Sequence, residues 1–184
     1  MIDESEIRKA VSILKPDGEL FEVRVMYSSK QMYSGYFKSA DDLITALNRD
    51  VREYAKCNMY ITLNALNEAC YSRDQSNRFI KNIKITTSDN DVEGYEYLFI
   101  DIDPSRPTGT SSSDEQVAKA KETGNKVSFM KNIGFNDPVF GFSGNGVHLL
   151  YRVELKNTED RRELIKKCLQ VLDMYFRMKI YRLT

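Results

Sequence analysis

Four segments of the chain carry apolar residues at the spacing of an amphipathic helix, which predicts helices over residues 3–14, 40–55, 113–121 and 158–176. Pro16-Asp17-Gly18 closes the first of them. The third begins with the capping pattern of Ser113 and Gln116, and Thr158 is a favourable N-cap for the fourth. Residues 65–80 have a mixed pattern that predicts helix at first.

Other segments alternate apolar and polar side chains, which predicts strands over residues 20–27, 31–37, 58–63, 97–103, 139–142 and 147–155. Between the last two strands, Ser143-Gly144-Asn145-Gly146 predicts a tight hairpin, because Asn-Gly favours a positive φ. Residues 104–113 have the Pro, Gly, Ser and Thr content of a loop. Because helices alternate with hairpins, we predict one α+β domain over residues 1–184.

The composition narrows the functional classes. The 27 basic and 27 acidic residues balance, which argues against a uniformly basic nucleic-acid surface but not against a local basic patch. No apolar run has the length of a membrane span and the N-terminus does not resemble a signal peptide, so we expect a cytoplasmic protein without a membrane partner. Cys57, Cys70 and Cys168 lack metal-ligand spacing and predict buried thiols, and with one histidine in the chain a zinc site is disfavoured.

Two aspartates stand at the end of the predicted strand 97–103. Since side chains alternate along a strand, Asp101 and Asp103 are expected on one face, with Cα atoms roughly 6.5 Å apart. Two carboxylates on one face repel, and cations such as Mg²⁺ or Mn²⁺ relieve that repulsion. The alternative is that Asp103 merely ends the strand before Pro104 and Asp101 is simply exposed.

The hairpin strand that follows the glycine-rich turn carries the single histidine. His148 and Arg152 are expected on one face of this strand, so a phosphate could meet an imidazole, a guanidinium and the backbone N–H groups of the turn. The alternative is that the glycines only form the turn and His148 only packs.

A third feature is basic. Residues 71–89 contain more cations than acids, and Tyr71 and Phe79 lie among them, a composition suited to single-stranded nucleic acid. The predicted nucleic-acid-binding residues are Arg73, Arg78, Lys81 and Lys84. The alternative is a solvated surface with two aromatic residues in the core.

These motifs, taken in order, resemble the archaeo-eukaryotic primase superfamily, and in detail the primase–polymerase domain of bacterial, phage and plasmid replication proteins. The resemblance runs from about residue 10 to about residue 176 and rests on GYF at 35–37, YITLN at 60–64, TTSDND at 86–91, FIDIDPSRPTGTSSSDEQ at 99–116 and SGNGVHLLYRV at 143–153. It implies a split two-layer module. In such a module an RNA-recognition-like sheet carries the active site and helices flank the sheet.

The resemblance also implies roles for individual residues. Asp101 and Asp103 would be catalytic carboxylates that bind Mg²⁺ or Mn²⁺, and His148 would contact the triphosphate of the incoming nucleotide. Ser143 opens the histidine motif, and Arg106 and Arg152 are further nucleotide-binding candidates because they lie near the motifs. The implied partners are nucleoside triphosphates, a single-stranded or primed DNA template, and a helicase domain or replication protein.

One motif of the family is missing. The family has a third carboxylate on a strand after the long helix, whereas here no acid follows Asp173, which lies within the predicted helix. We therefore expect either the N-terminal part of a longer protein or a natural truncation, which would bind nucleotide but extend a primer poorly. The rivals to a nucleotidyltransferase are a metal-dependent nuclease and a nucleic-acid-binding module without turnover.

Overall fold

A computed structural model describes residues 2–27, 31–51, 57–104, 107, 109–128 and 134–176. The chain divides into two compact units, Met1–Gly94 and Tyr95–Thr184, and each has its own hydrophobic core. Helices and antiparallel strand pairs occur in both units, so the predicted α+β class is confirmed. The primase-type module and the single domain stay predictions.

The first unit begins with α1 (Glu4–Leu14), β1 (Phe21–Tyr27), β2 (Met32–Phe37), α2 (Ala40–Asp50) and β3 (Cys57–Ile61). The carboxylate of Asp3 caps α1 by accepting hydrogen bonds from the backbone N–H groups of Ser5 and Glu6. The Ser39 hydroxyl caps α2 in the same way through the N–H of Asp42. The predicted first helix and first hairpin are therefore confirmed.

Helix α2 ends at Asp50 rather than at residue 55. Val51 is extended, with φ −112° and ψ 117°, and it buries its β-branched side chain while its N–H still bonds to the Leu47 carbonyl. The remainder of the predicted helix, which includes Tyr54, lies outside the described residues.

The predicted helical start of residues 65–80 is wrong. This stretch forms a short strand, a 3₁₀ helix and a second short strand, namely β4 (Ala65–Leu66), Glu68–Ser72 and β5 (Ile80–Lys81). The Asn67 side chain accepts the N–H of Ala69 and starts the 3₁₀ turn, and Asn77 turns the chain at a positive φ of 50°. A local hydrogen bond of Asn67 and a left-handed turn at Asn77 thus replace the pattern of an α-helix.

The first sheet has the strand order β3-β1-β2-β5, with antiparallel pairing throughout. Phe21, Val23 and Val25 on β1 face the helices and share a core with Leu43 and Leu47 of α2. The other face of β1 carries Glu22 and Arg24, because successive side chains point to opposite faces.

Glu22 is the centre of a buried polar network on that other face. Its carboxylate is 0% exposed and accepts hydrogen bonds from the Ser34 hydroxyl (2.5 Å), the Arg24 guanidinium (2.8 Å) and the Thr87 N–H (3.2 Å). Burial alone would raise the pKa of Glu22, but these hydrogen bonds outweigh it and lower the pKa. The Gln75 amide donates to Ser34, so the network fixes residues 75–87 on the sheet.

The second unit contains most of β6 (Val92–Ile102), then α3 (Asp114–Ser128), β7 (Val139–Phe142), β8 (Val147–Lys156) and α4 (Glu159–Phe176). β6 starts in the first unit, where Val92 and Gly94 pair with β4, and in the second unit it lies beside β8. The core lies between this sheet and apolar residues of the helices, among them Ile165, Leu169 and Leu172 of α4.

Helix α3 continues beyond the predicted end near Lys121, to Ser128. Gly124 lies within this extension and faces the sheet. A Cβ added there would lie 3.0 Å from Cγ1 of Val147 and 3.4 Å from the Phe140 ring. The glycine therefore allows α3 to lie close to the sheet, and the helix does not end there.

Two further findings concern the thiols and membranes. All three cysteines are free, and Cys70 is buried while Cys57 and Cys168 are partly buried. Burial raises the pKa of each thiol, which keeps it in the unreactive protonated form. Of the helices described, none combines the length and apolar character needed to cross a membrane.

Candidate functional site

The two predicted carboxylates lie at the end of β6. Asp101 is on the strand with its side chain 26% exposed, and Asp103 follows the last strand residue, Ile102, and is partly buried. Ile100 and Ile102 alternate with them and are buried in the core. The same alternation that buries the isoleucines therefore keeps Asp101 accessible to solvent.

His148 lies directly beside Asp101. Its Nε2 atom is 3.4 Å from Oδ1 of Asp101, which is ion-pair distance when the imidazole is protonated. The Phe99 ring contacts the imidazole edge-on, with centroids 5.1 Å apart. On the other side, Gly141 of β7 is the register partner of His148, and a Cβ there would lie 3.3 Å from the Cβ of His148. Asp101, Phe99 and Gly141 together define the position of the imidazole.

The turn between β7 and β8 is held by Ser143. Its hydroxyl accepts the N–H of Gly146 at 3.0 Å, and its own N–H donates to the Gly146 carbonyl at 3.1 Å. Gly144 carries the positive φ (88°), whereas the sequence had pointed to Asn145-Gly146. Within the described residues the N–H groups of Gly144 and Asn145 have no partner, so they are available to an anion.

Gly146 brings this turn against the end of β6. A Cβ at this position would lie 2.5 Å from the Ile102 carbonyl oxygen and 3.1 Å from Oδ1 of Asp103. Only glycine permits this approach without a displacement of the backbone. The turn and the second carboxylate are therefore in direct contact.

The loop between β6 and α3 is attached to the same turn. Oδ1 of Asn145 accepts the N–H of Ser112 at 3.0 Å. One residue later, Ser113 and Gln116 form the predicted capping box, with each side chain bonded to the backbone N–H of the other. Arg106, a predicted nucleotide-binding residue in this loop, lies outside the described residues.

Arg152 is on the predicted face of β8 but at a distance from His148. Four residues along a strand correspond to about 13 Å. Its guanidinium lies over the Tyr97 ring, 5.7 Å from the centroid, and Nε is 3.2 Å from Oε1 of Glu154. Arg152 therefore lies further along β8 from the end where His148 meets Asp101. Its described contacts do not bring its guanidinium to the two carboxylates.

The predicted basic residues belong to the first unit and differ in environment. Arg73 is partly buried, 2.6 Å from Asp91 and 2.7 Å from the Tyr36 hydroxyl, so its guanidinium has a structural partner. Arg78, Lys81 and Lys84 are exposed, and Arg78 donates to the Asp74 carbonyl. Their contact with nucleic acid stays a prediction.

The two aromatic residues of this segment are not exposed surfaces for base stacking. Phe79 is 6% exposed and belongs to the core cluster of the first unit. Tyr71 is partly buried beneath the ammonium of Lys38, 4.9 Å from its ring centroid. The alternative interpretation, in which these aromatics stabilise the fold, describes them better.

The donor set at the end of β6 suits a hard divalent cation only in part. Asp101 and Asp103 offer carboxylate oxygens, which Mg²⁺ and Mn²⁺ prefer, but neither cation is satisfied by two protein ligands. In the part of the chain that is described, three or more His, Cys, Asp or Glu side chains do not cluster in a way that could hold a metal. A cation here would need water or substrate oxygens to complete its coordination.

Sequence reasoning missed Phe99 and Gly141 as parts of this site, and it missed the contacts that Asn145 makes with Ser112 and Gly146 makes with Ile102. Phe99 could have been found, because it precedes Asp101 by two residues on the same strand face. The close approach of Gly146 to Ile102 depends on two segments far apart in sequence, and nothing in the local pattern indicates it.

Comparison with known proteins adds no relative: no family model matches the chain, and neither a curated protein nor a solved structure does. The geometry of the site is therefore the evidence from which a function can be argued.

Proposed function

We propose that the chain is a DNA primase–polymerase domain that transfers nucleotides from a nucleoside triphosphate to a 3′-hydroxyl on a template. The observation that carries the proposal is the contact between His148 and Asp101, with Asp103 two residues further along against Gly146 of the Ser143–Gly146 turn. Carboxylates for cations and an imidazole for phosphate, within one solvent-accessible corner, are what a metal–triphosphate complex requires.

Each group has a distinct task in this proposal. Asp101 and Asp103 would hold Mg²⁺ or Mn²⁺, which would supply positive charge to stabilise the negative charge that develops on the phosphate oxygens. His148 donates a hydrogen bond to the triphosphate, and Phe99 keeps its ring in place. The N–H groups of Gly144 and Asn145 face no protein acceptor in the described chain and can receive a phosphate oxygen.

The implied partners are nucleoside triphosphates, a single-stranded or primed DNA template, and a helicase domain or other replication protein. They follow from the resemblance of the ordered motifs to the primase superfamily. Of these, the triphosphate has the most direct support, because the site offers both cation ligands and phosphate donors.

Incorporation of labelled nucleotide on a primed template, with Mn²⁺ or Mg²⁺, tests the proposal. We expect incorporation by the wild-type chain above the level of Asp101→Asn, even if that incorporation is weak. Degradation of the template in a reaction without added nucleotide would instead identify a nuclease. If a folded protein binds triphosphate but neither incorporates nucleotide nor degrades the template, nucleotidyl transfer by this chain is rejected.

A second candidate is a binding module without turnover. It is favoured by the ligand count, because the described residues bring two carboxylates and no third to the corner. A third ligand that acts only in the transition state would affect turnover rather than ground-state affinity. Metal-dependent triphosphate binding without incorporation would select this candidate.

A further inference from the structure

Strand β3 forms an edge of the first sheet. In the strand order β3-β1-β2-β5, β1 lies on one side of β3, and no described strand lies on the other side. Residues 57–61 follow the register of β1 without a bulge. A regular edge of this kind presents a row of backbone donors and acceptors to which a further strand can bond.

One backbone hydrogen bond shows which residues of this strand point outward. The Thr62 N–H donates to the Glu22 carbonyl at 3.0 Å, which makes these two residues a bonded pair. Bonded and non-bonded pairs alternate along antiparallel strands, so Tyr60 also bonds to β1. The N–H and C=O groups of Met59 and Ile61 therefore point to the open edge, where they have no partner among the described residues.

Exposed apolar side chains flank this edge on both faces of the sheet. Met59 is 45% exposed and shares a face with its register partner Val25, which belongs to the core of the first unit. Tyr60 is 54% exposed on the opposite face, which also carries Met26, 44% exposed. A strand added to β3 would therefore cover apolar surface as well as backbone groups.

The lack of charge on the strand indicates which partner fits. Proteins protect exposed edge strands with lysine, proline or a bulge. Although 29% of the chain is charged, residues 57–67 contain neither a charged residue nor a proline. A second copy of β3 therefore meets no like charge across the edge, whereas a charged segment of another protein finds no opposite charge there. The edge is complementary to itself, as a two-fold interface requires.

One antiparallel register satisfies the outward backbone groups and also pairs the exposed side chains. When Met59 lies opposite Ile61 of a second copy, the two residues exchange N–H···O bonds, and the two-fold axis repeats this pair. Since Ile61 packs against the core of the first unit, Met59 extends that core across the edge. On the axis, Tyr60 lies opposite Tyr60 of the second copy in a non-bonded pair, an arrangement that favours aromatic contacts.

We propose that two copies of the chain associate through β3, with Met59 opposite Ile61 and Tyr60 opposite Tyr60. The two first sheets then form one continuous antiparallel sheet with the strand order β5-β2-β1-β3-β3-β1-β2-β5. This association uses no group of the candidate active site, so it does not depend on nucleotidyl transfer at Asp101 and Asp103.

Sedimentation equilibrium over a range of protein concentrations tests the association. We expect the wild-type chain to reach twice the mass of one chain, and Met59→Lys to stay at the mass of one chain, because an ammonium group on an edge strand prevents pairing. Met174→Lys, the same change at an 80% exposed position of α4, is the matched control and should associate like the wild type. A wild type that is monomeric at every concentration, association of Met59→Lys at the wild-type affinity, or dissociation by Met174→Lys would each overturn the proposal.

Cysteine cross-linking tests the register through a gain of signal that unfolding cannot mimic. The Cβ atoms of a non-bonded antiparallel pair are close enough for a disulfide, so Tyr60→Cys should form a covalent dimer with oxidised glutathione. Asn58→Cys is the control, because in this register its symmetry mate lies roughly 13 Å further along the strand. The wild type, with its three free cysteines, gives the background. No covalent dimer of Tyr60→Cys above that background, or equal cross-linking of Asn58→Cys, would overturn the proposed pairing.

Discussion

The decisive feature at the scale of residues is the contact between His148 and Asp101. At 3.4 Å from Nε2 to the carboxylate oxygen, a cation on Asp101 and a phosphate on His148 would be immediate neighbours. A metal–triphosphate complex joins these two charges in one ligand, since the cation binds the phosphate oxygens. The proposed function therefore predicts one ligand for this pair rather than two separate sites.

Replacing His148 by Ala should weaken triphosphate binding by roughly 10- to 100-fold, the value of one charge-assisted hydrogen bond, and should leave nucleoside binding unchanged. His148→Gln, which retains a donor, should recover part of the affinity. Calorimetric titrations with the triphosphate and with the nucleoside distinguish the two effects. Equal losses for both ligands would mean that the imidazole only packs against Phe99.

The glycines of the turn make a matched pair of variants. In Gly146→Ala the new Cβ meets the Ile102 carbonyl and Asp103, so we expect both lower stability and weaker triphosphate binding. In Gly144→Ala nothing lies within 4 Å of the Cβ, and the cost is the positive φ alone, about 1–2 kcal/mol of unfolding free energy. Denaturant unfolding combined with nucleotide titration tests this, and triphosphate binding by Gly146→Ala at the wild-type affinity would refute a role for the Gly146 contact.

At the scale of elements, the sequence predicted what depends on local periodicity. The α1 helix, the β1–β2 hairpin, β7 and the Ser113–Gln116 cap follow from apolar spacing and capping residues. The errors lie where tertiary contacts override that pattern. Gly124 lies within α3 and faces Val147, and residues 65–80 form no α-helix because Asn67 starts a 3₁₀ turn and Asn77 turns the chain at a positive φ.

In the candidate site, too, local alternation predicted some features and tertiary contacts determined the others. Alternation predicted that Asp101 and Asp103 would stand at a strand end and that His148 and Arg152 would share a face. It could not predict that His148 approaches Asp101 while Arg152 lies over Tyr97, because the register between β6 and β8 is set by the whole sheet.

The stability of the first unit should be sensitive to acid, because Asp91 forms an ion pair with Arg73. Partial burial alone would raise the pKa of Asp91, but hydrogen bonds from Ser88 and Arg73 lower it from 3.8 to about 2. A lowered pKa in the folded state means that Asp91 stabilises the unit above pH 4 and loses this contribution as the pH falls toward 2. The lowered pKa of Glu22 acts in the same direction.

Asp91→Asn should therefore be less stable than the wild type at neutral pH, and its stability should fall less steeply between pH 4 and pH 2. Denaturant unfolding at several pH values measures this. Asp89→Asn, an exposed position two residues away, is the control and should follow the wild-type curve. An identical pH dependence in Asp91→Asn and the wild type would show that the Arg73–Asp91 pair does not stabilise the fold.

At the scale of the whole molecule, a net charge of zero conceals an uneven distribution. The solvent-accessible carboxylates of the candidate active site belong to the second unit, and the exposed cations of the predicted nucleic-acid segment, Arg78, Lys81 and Lys84, belong to the first. Triphosphate binding should therefore depend on metal, whereas nucleic-acid binding should depend on salt.

The most direct test of the central claim is calorimetric titration of a nucleoside triphosphate into the protein with Mn²⁺. We expect the wild-type chain to bind with Mn²⁺ and not with EDTA, and Asp101→Asn to lose this binding while keeping its unfolding free energy, because one of two repelling charges is removed. Glu115→Gln, the same change of charge on the exposed surface of α3, should bind like the wild type. Unchanged affinity in both Asp101→Asn and Asp103→Asn would contradict the assignment of these aspartates to a metal–triphosphate site.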